Sequence, residues 1–181
     1  SLAKKGRTFT QAVASEMSKI LSGATIQVEN TDTDYLRFYL DSVNGSKGFR
    51  PTNVGFGYSY ILPIVMTMLL AEKGAKIFIE NPEAHLHPGA QSRLADFLMR
   101  QAKERDLQLF IETHSDHIIN GLRIAIVDGV LEKADARILF FSRDGMEDTH
   151  ICQIKIDTHG NLSDYPDGFM DEWGIQMSKL V

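Results

Sequence analysis

The chain has 181 residues, 43% of them apolar and 24% charged, with a formal net charge of -5. That balance fits one globular domain with an adequate core and excludes a disordered chain, and the acidic excess argues against a large exposed nucleic-acid surface. The single cysteine, Cys152, excludes an internal disulfide and fits a reducing compartment.

In chain order, residues 8–21 place Phe9, Val13, Met17, Ile20 and Leu21 at steps of three and four, which predicts an amphipathic helix ending near Gly23. Residues 24–29 and 35–43 alternate around a polar bend and predict a small antiparallel ribbon. A loop over residues 44–57 contains Gly45, Gly48, Gly55 and Gly57. It feeds a strongly apolar helix over residues 59–72, in which Pro63 is expected in the first turn. Residues 60–71 form the longest apolar stretch, too short for a bilayer and broken by Pro63 and Thr67. No charged leader precedes it, so the reading is a cytoplasmic protein that does not engage a membrane.

Residues 76–88, KIFIENPEAHLHP, run a short apolar strand into carboxylates and a loop with two histidines. Ile77, Phe78 and Ile79 read as a parallel strand buried on both faces, with Glu80 at its carboxyl end, where open α/β sheets bind ligands. Residues 89–105 space Leu94, Phe97, Leu98 and Ala102 as a crossover helix. Residues 107–116, LQLFIETHSD, repeat the strand-acid-loop design with Glu112 and His114. Beyond them come a helix over 118–127, strands over 136–142 and 150–157, and a tail over 164–181 of loop and short helix. There Phe169 and Trp173 are expected to pack at an i, i+4 step.

Several of these residues carry chemistry. Gly55 and Gly57 let backbone N–H groups approach an anion beside a helix N-terminus, although a tight turn into a core helix needs the same glycines. Glu80 could hold a hydrated magnesium ion, or be a solvated strand-end acid. Glu83 and His87 share its loop, and His114 could donate to a terminal phosphate or orient water.

Together these motifs resemble the ABC class of P-loop ATPases, in the branch of the chromosome-maintenance, recombination-repair and overcoming-lysogenization-defect ATPases. Residues 53–59, NVGFGYS, look like a divergent signature motif, 77–80 like Walker B, 84–87 like the D-loop, and His114 in ETHSD like the switch histidine. The tail DGFMDEW, residues 167–173, is similar to the ending of bacterial predicted AAA-family ATPases that carry a C-terminal domain of unknown function.

The resemblance implies an α/β P-loop NTPase partial domain: a mostly parallel sheet flanked by helices, with the antiparallel ribbon near the N-terminus. Residues 1–163 would be the C-terminal part of the ATPase domain and 164–181 the family tail. It implies ATP and Mg2+ as cofactors, Glu80, Glu83 and His114 in catalysis, and Glu80 as the metal ligand. Asn53, Gly55, Phe56, Gly57, Ser59, Asn81 and His87 would line the nucleotide. Each active site would be shared by a homodimer with ATP at the interface, the partner's signature closing over the terminal phosphate. DNA or an effector protein is a further implied partner, in DNA maintenance or phage defence.

Two departures stand out. No G-x-x-x-x-G-K-[ST] occurs, so the Walker A segment of the intact protein is expected upstream of this chain, which alone would be inactive. Asn81 follows the Walker B acid where many such ATPases carry the catalytic glutamate, and an amide cannot act as a base. Either Glu83 takes over the positioning of water, or ATP serves chiefly as a conformational switch. Two other readings compete: a metal-dependent hydrolase or nuclease using Glu83, His85, His87, His114, Asp116 and His117, and a non-catalytic dimerisation module.

Overall fold

The computed structural model describes residues 8–22, 25–30, 36–41, 56–144 and 148–180. By compactness the chain divides into two units, Ser1–Ile118 and Ile119–Val181, where length alone reads as one domain. This is a division of packing, distinct from the family boundary at 163/164 read from the sequence.

In the first unit, helix α1 (Phe9–Ile20) starts at a reciprocal cap: Gln11 N–H donates to the Thr8 hydroxyl, and Thr8 N–H to Gln11 Oε1. Its buried stripe is Ala12, Val13, Met17 and Ile20. Strands β1 (Thr25–Asn30) and β2 (Leu36–Asp41) pair antiparallel, Thr25 opposite Asp41 and Asn30 opposite Leu36, as the predicted ribbon requires.

Helix α2 (Phe56–Leu70) begins earlier than predicted, so Pro63 lies two turns inside it rather than in its first turn. Pro63 brings no N–H for the Ser59 carbonyl, and it is tolerated on the exposed side while Ile61, Val65, Met68 and Leu69 are buried. Strand β3 (Lys76–Glu80), helix α3 (Pro88–Arg105) and strand β4 (Gln108–Glu112) form the predicted parallel unit.

The core of this unit gathers α1, α2 and α3, with Phe97, Leu94 and Leu98 of α3 fully buried. Two arginines of α3 bind the C-terminal ends of the other helices: Arg93 Nε donates to the Ile20 carbonyl at 2.8 Å and Arg105 Nη2 to the Ala71 carbonyl at 2.8 Å. Charged caps at a helix C-terminus satisfy orphan carbonyls and oppose the negative end of the dipole.

The expectation that β3 is buried on both faces is not met. Ile77 and Ile79 are buried, but Phe78 is 73% exposed, with Lys76 and Glu80 on its side. Successive side chains of a strand point to opposite faces, and of the two faces of β3 only the one bearing Ile77 and Ile79 is buried.

Helix α4 (Asp116–Val127) leads to the second unit, where β5 (Ile138–Asp144) and β6 (Asp148–Ile154) pair antiparallel, Phe140 opposite Cys152. Ile154, Ile156, Leu162 and Phe169 form its core together with Ile126. Among the described residues β3 and β4 pair parallel, while β1 with β2 and β5 with β6 are separate antiparallel ribbons.

A tight turn closes the unit. The Asn161 side-chain amide, foremost, with the backbone N–H groups of Asn161 and His159, holds the Asp157 carboxyl below its usual value. Gly160 in this turn has φ +78°, and a Cβ there would lie 2.9 Å from Val127 Cγ2, so glycine is required on two counts.

The expected Phe169–Trp173 contact is absent. Phe169 precedes helix α5 (Glu172–Ser178) and meets Phe140 edge-on at 5.5 Å, while Trp173 is 72% exposed. Helical i, i+4 spacing cannot apply to a residue outside the helix.

Candidate functional site

The register of β3 and β4 sets the site. Phe78 lies beside Phe110 and Glu80 beside Glu112, and the two phenyl rings stack at 4.6 Å between centroids, 9° between planes. Residues two apart on a strand share a face, so the stack places Glu80 and Glu112 together on that same exposed face, at the carboxyl ends of both strands. Two neighbouring carboxylates in water suit a divalent cation.

Beyond β3 the chain turns sharply. Asn81 has φ 46°, donates its N–H to the Glu112 carbonyl at 2.9 Å and accepts the Ala84 N–H at 3.0 Å. Asparagine enters this left-handed region more readily than glutamate, which gives Asn81 a conformational reason to stand where a catalytic acid is expected.

Glu83 spans to the loop after β4. Its Oε2 accepts the Thr113 hydroxyl at 2.8 Å, and its Oε1 accepts the His114 backbone N–H at 2.7 Å. The His114 side chain is exposed.

Behind this bridge, Ser115 is the N-cap of α4, accepting N–H bonds from His117 at 3.1 Å and Ile118 at 3.4 Å. Its hydroxyl donates to Gln91 Oε1 at 2.6 Å, and Gln91 Nε2 donates to the Leu86 carbonyl at 2.9 Å. The 81–87 loop, the start of α3 and the 113–115 loop are thus one hydrogen-bonded assembly. Ser115→Ala is expected to destabilise the fold by about 1–3 kcal/mol, through a lost cap and an unpaired Gln91 oxygen, as chemical denaturation would measure.

Helix α2 meets the same loop. His85, at φ 62°, has its ring 4.8 Å from that of Tyr60 and 5.5 Å from that of Phe56. Gly57 is buried, and a Cβ there would approach the His85 carbonyl oxygen and Leu86 Cδ2 at 3.1 Å each. Leu21, Gly57, Tyr58, His85, Leu86, His87 and Ala90 surround a shallow hollow.

The structure therefore brings Glu80, Asn81, Glu83 and His114 to the ends of two paired strands, and Phe56 and Gly57 against the 85–86 turn. Ser59 lies exposed on α2, and Asn53 and Gly55 lie outside the described residues. His87 is the N-cap of α3, its Nδ1 accepting the Ala90 N–H at 3.3 Å. Among the described residues no three His, Cys, Asp or Glu side chains form a group that could hold a metal. With His87 capping a helix and His85 set among aromatic rings, the histidine-rich loops have local packing partners of their own. A magnesium ion at Glu80 and Glu112 would instead complete its shell with water and phosphate oxygens, and the exposed acid pair fits that use.

Thr113, Ser115 and Gln91 do not stand out in the sequence, and Glu112 is legible there as a strand-end acid but not as the neighbour of Glu80. Ser115 was within reach, because a serine directly before Asp116, His117 and Ile118 is an N-cap signal.

Strand-end acids, a helix entering behind glycine, and a histidine loop on the neighbouring strand fit a P-loop NTPase-like fold. The chain belongs to the AAA ATPase domain family, whose model matches residues 1–119. A second model, for a protein of unknown function (DUF3696), matches residues 131–180.

An uncharacterized protein of Methanocaldococcus jannaschii is 26% identical over 91 residues, 50% of this chain and 75% of that protein. A solved chain from work on ATP-driven dimerization and DNA-stimulated activation of SMC ATPases superposes with a TM-score of 0.61 at 13% identity, covering 99% of this chain and 96% of that one. The Smc head domain of Pyrococcus furiosus, with an extended coiled coil and bound to the C-terminal domain of ScpA, gives a TM-score of 0.60 at 13% identity, covering 98% and 39%. At such identities the likeness is one of fold. Among the described residues no helix is long and apolar enough to cross a membrane.

Proposed function

We propose that this chain is the signature-to-switch portion of an ATPase that, when intact, binds and hydrolyses ATP with magnesium as a nucleotide-sandwich homodimer. The observation that carries the reading is the parallel register of β3 and β4, which sets Glu80 beside Glu112 and starts the Glu83 and His114 loops from one sheet edge. Family membership supports the ATPase activity. ATP-driven dimerization of the SMC ATPases, which share the fold, supports the dimer.

Glu80 would hold magnesium, which when bound neutralises charge across the β- and γ-phosphate oxygens. His114 would donate to the terminal phosphate of its own protomer's nucleotide. Residues 53–59 and the α2 N-terminus would offer donors to the nucleotide of the partner, with Asn81 and His87 along the same edge. Asn81 cannot accept a proton from water, so turnover is slow unless Glu83 contributes. Walker A would come from an upstream segment of the same protein, and the process served would be DNA maintenance or phage defence, in the cytoplasm.

Titrating labelled ATP with magnesium into this chain, and into a longer form that includes the upstream segment, tests the reading. Binding by the longer form alone is expected. If neither form binds ATP, the reading is wrong.

A further inference from the structure

Glu83 stands 31 residues from His114 in sequence, yet both of its carboxylate oxygens are taken up by the loop that carries this histidine. Hydrogen bonds to an ionised acceptor are short and strong, and two of them to adjacent residues fix a loop in place and in rotation. The Thr113 hydroxyl that donates to Glu83 also accepts the Ser115 N–H at 3.0 Å, so the acid is tied into the cap of α4 as well. Each oxygen of this carboxylate is thus committed to a protein donor.

We infer that Glu83 is a positioning residue: it holds the 113–115 loop so that the His114 side chain projects from the strand edge, and it acts on the reaction through His114 rather than on water. The inference rests on the ATPase reading above and deepens it. It also gives the 81–87 loop a mechanical role, because His85 in the same loop packs against Phe56 and Tyr60 of α2. Helix α2, the 81–87 loop and the His114 loop are thereby in contact through a turn only a few residues long.

The test is a double-mutant cycle on kcat in the full-length protein, at saturating ATP and magnesium, with ATP affinity and melting temperature measured alongside. Glu83→Ala and His114→Ala are each expected to lower kcat by about a hundredfold, the scale set by misplacing a reacting group. The double variant should fall no more than about threefold below His114→Ala alone, because coupled residues are not additive.

Glu83→Gln, which keeps an acceptor oxygen, should recover part of the activity lost in Glu83→Ala, and the acid limb of the pH-rate profile should stay in place. Should Glu83→Ala fail to fold, Thr113→Val takes its place in the cycle, because it removes one of the two donors. Additive losses, or a Gln variant as inactive as the Ala variant with the acid limb gone, would make Glu83 a base acting on water and overturn the inference. A fall in melting temperature and ATP affinity with kcat unchanged would make it merely structural, with the same result. An unsubstituted protein that binds no ATP overturns the functional reading and this inference with it, an outcome distinct from all the others.

Discussion

Glu80→Gln is expected to lower magnesium-dependent ATP turnover of the intact protein by about a hundredfold or more, the scale of losing one preorganised electrostatic group at a reacting phosphate. Its folding stability should stay within about 0.5 kcal/mol, as for an exposed substitution with no hydrogen-bond or ion-pair partner among the described residues. The side chain is exposed at the end of β3, and glutamine matches its shape while removing its charge. Because Glu80 and Glu112 sit side by side, loss of one charge relieves repulsion in the empty site and weakens cation binding in the loaded one. The concentration of magnesium giving half-maximal rate should therefore rise. Turnover and magnesium dependence equal to those of the unsubstituted protein would remove Glu80 from the site. Glu112→Gln is the control that shows which acid carries more of the load, since the register treats the two alike.

Much of this site was legible before the fold. Periodicity placed α1, α3 and the parallel strands because each carries its own pattern of burial, and the loops after Glu80 and Glu112 followed from the strand ends. The facing of the two acids was not legible, because two strands in a sequence carry no statement of their offset. Nor does a run such as Ile77, Phe78, Ile79 reveal which alternate side chain is covered. The Glu83 bridge was out of reach for a related reason: its partners, Thr113 and His114, lie in another loop that only strand pairing brings near. The start of α2 was missed because Phe56 and Gly57 are poor helix formers after a glycine-rich stretch, and tertiary packing on the 85–86 turn overrides that local preference.

That packing shapes what Gly57 can tell us. A signature glycine is expected to admit phosphate close to the backbone, so Gly57→Asp should abolish ATP-driven dimerisation by setting a carboxylate against the partner's nucleotide. In this fold any side chain at Gly57 also presses on the protein itself, since its Cβ meets the His85 carbonyl oxygen at 3.1 Å. Leu86 Cδ2, equally close, is a side-chain tip that can swing away, whereas the backbone oxygen moves only with its turn. Gly57→Ala isolates this packing effect. Overpacking of this kind costs about 1–3 kcal/mol, which corresponds to a melting temperature lower by roughly 2–10 °C. Gly57→Asp should show a similar thermal loss and, in addition, no dimer by light scattering with ATP and magnesium, at temperatures where both variants are folded. A dimer formed by Gly57→Asp as readily as by Gly57→Ala would confine this glycine to helix packing and withdraw residues 53–59 from the nucleotide.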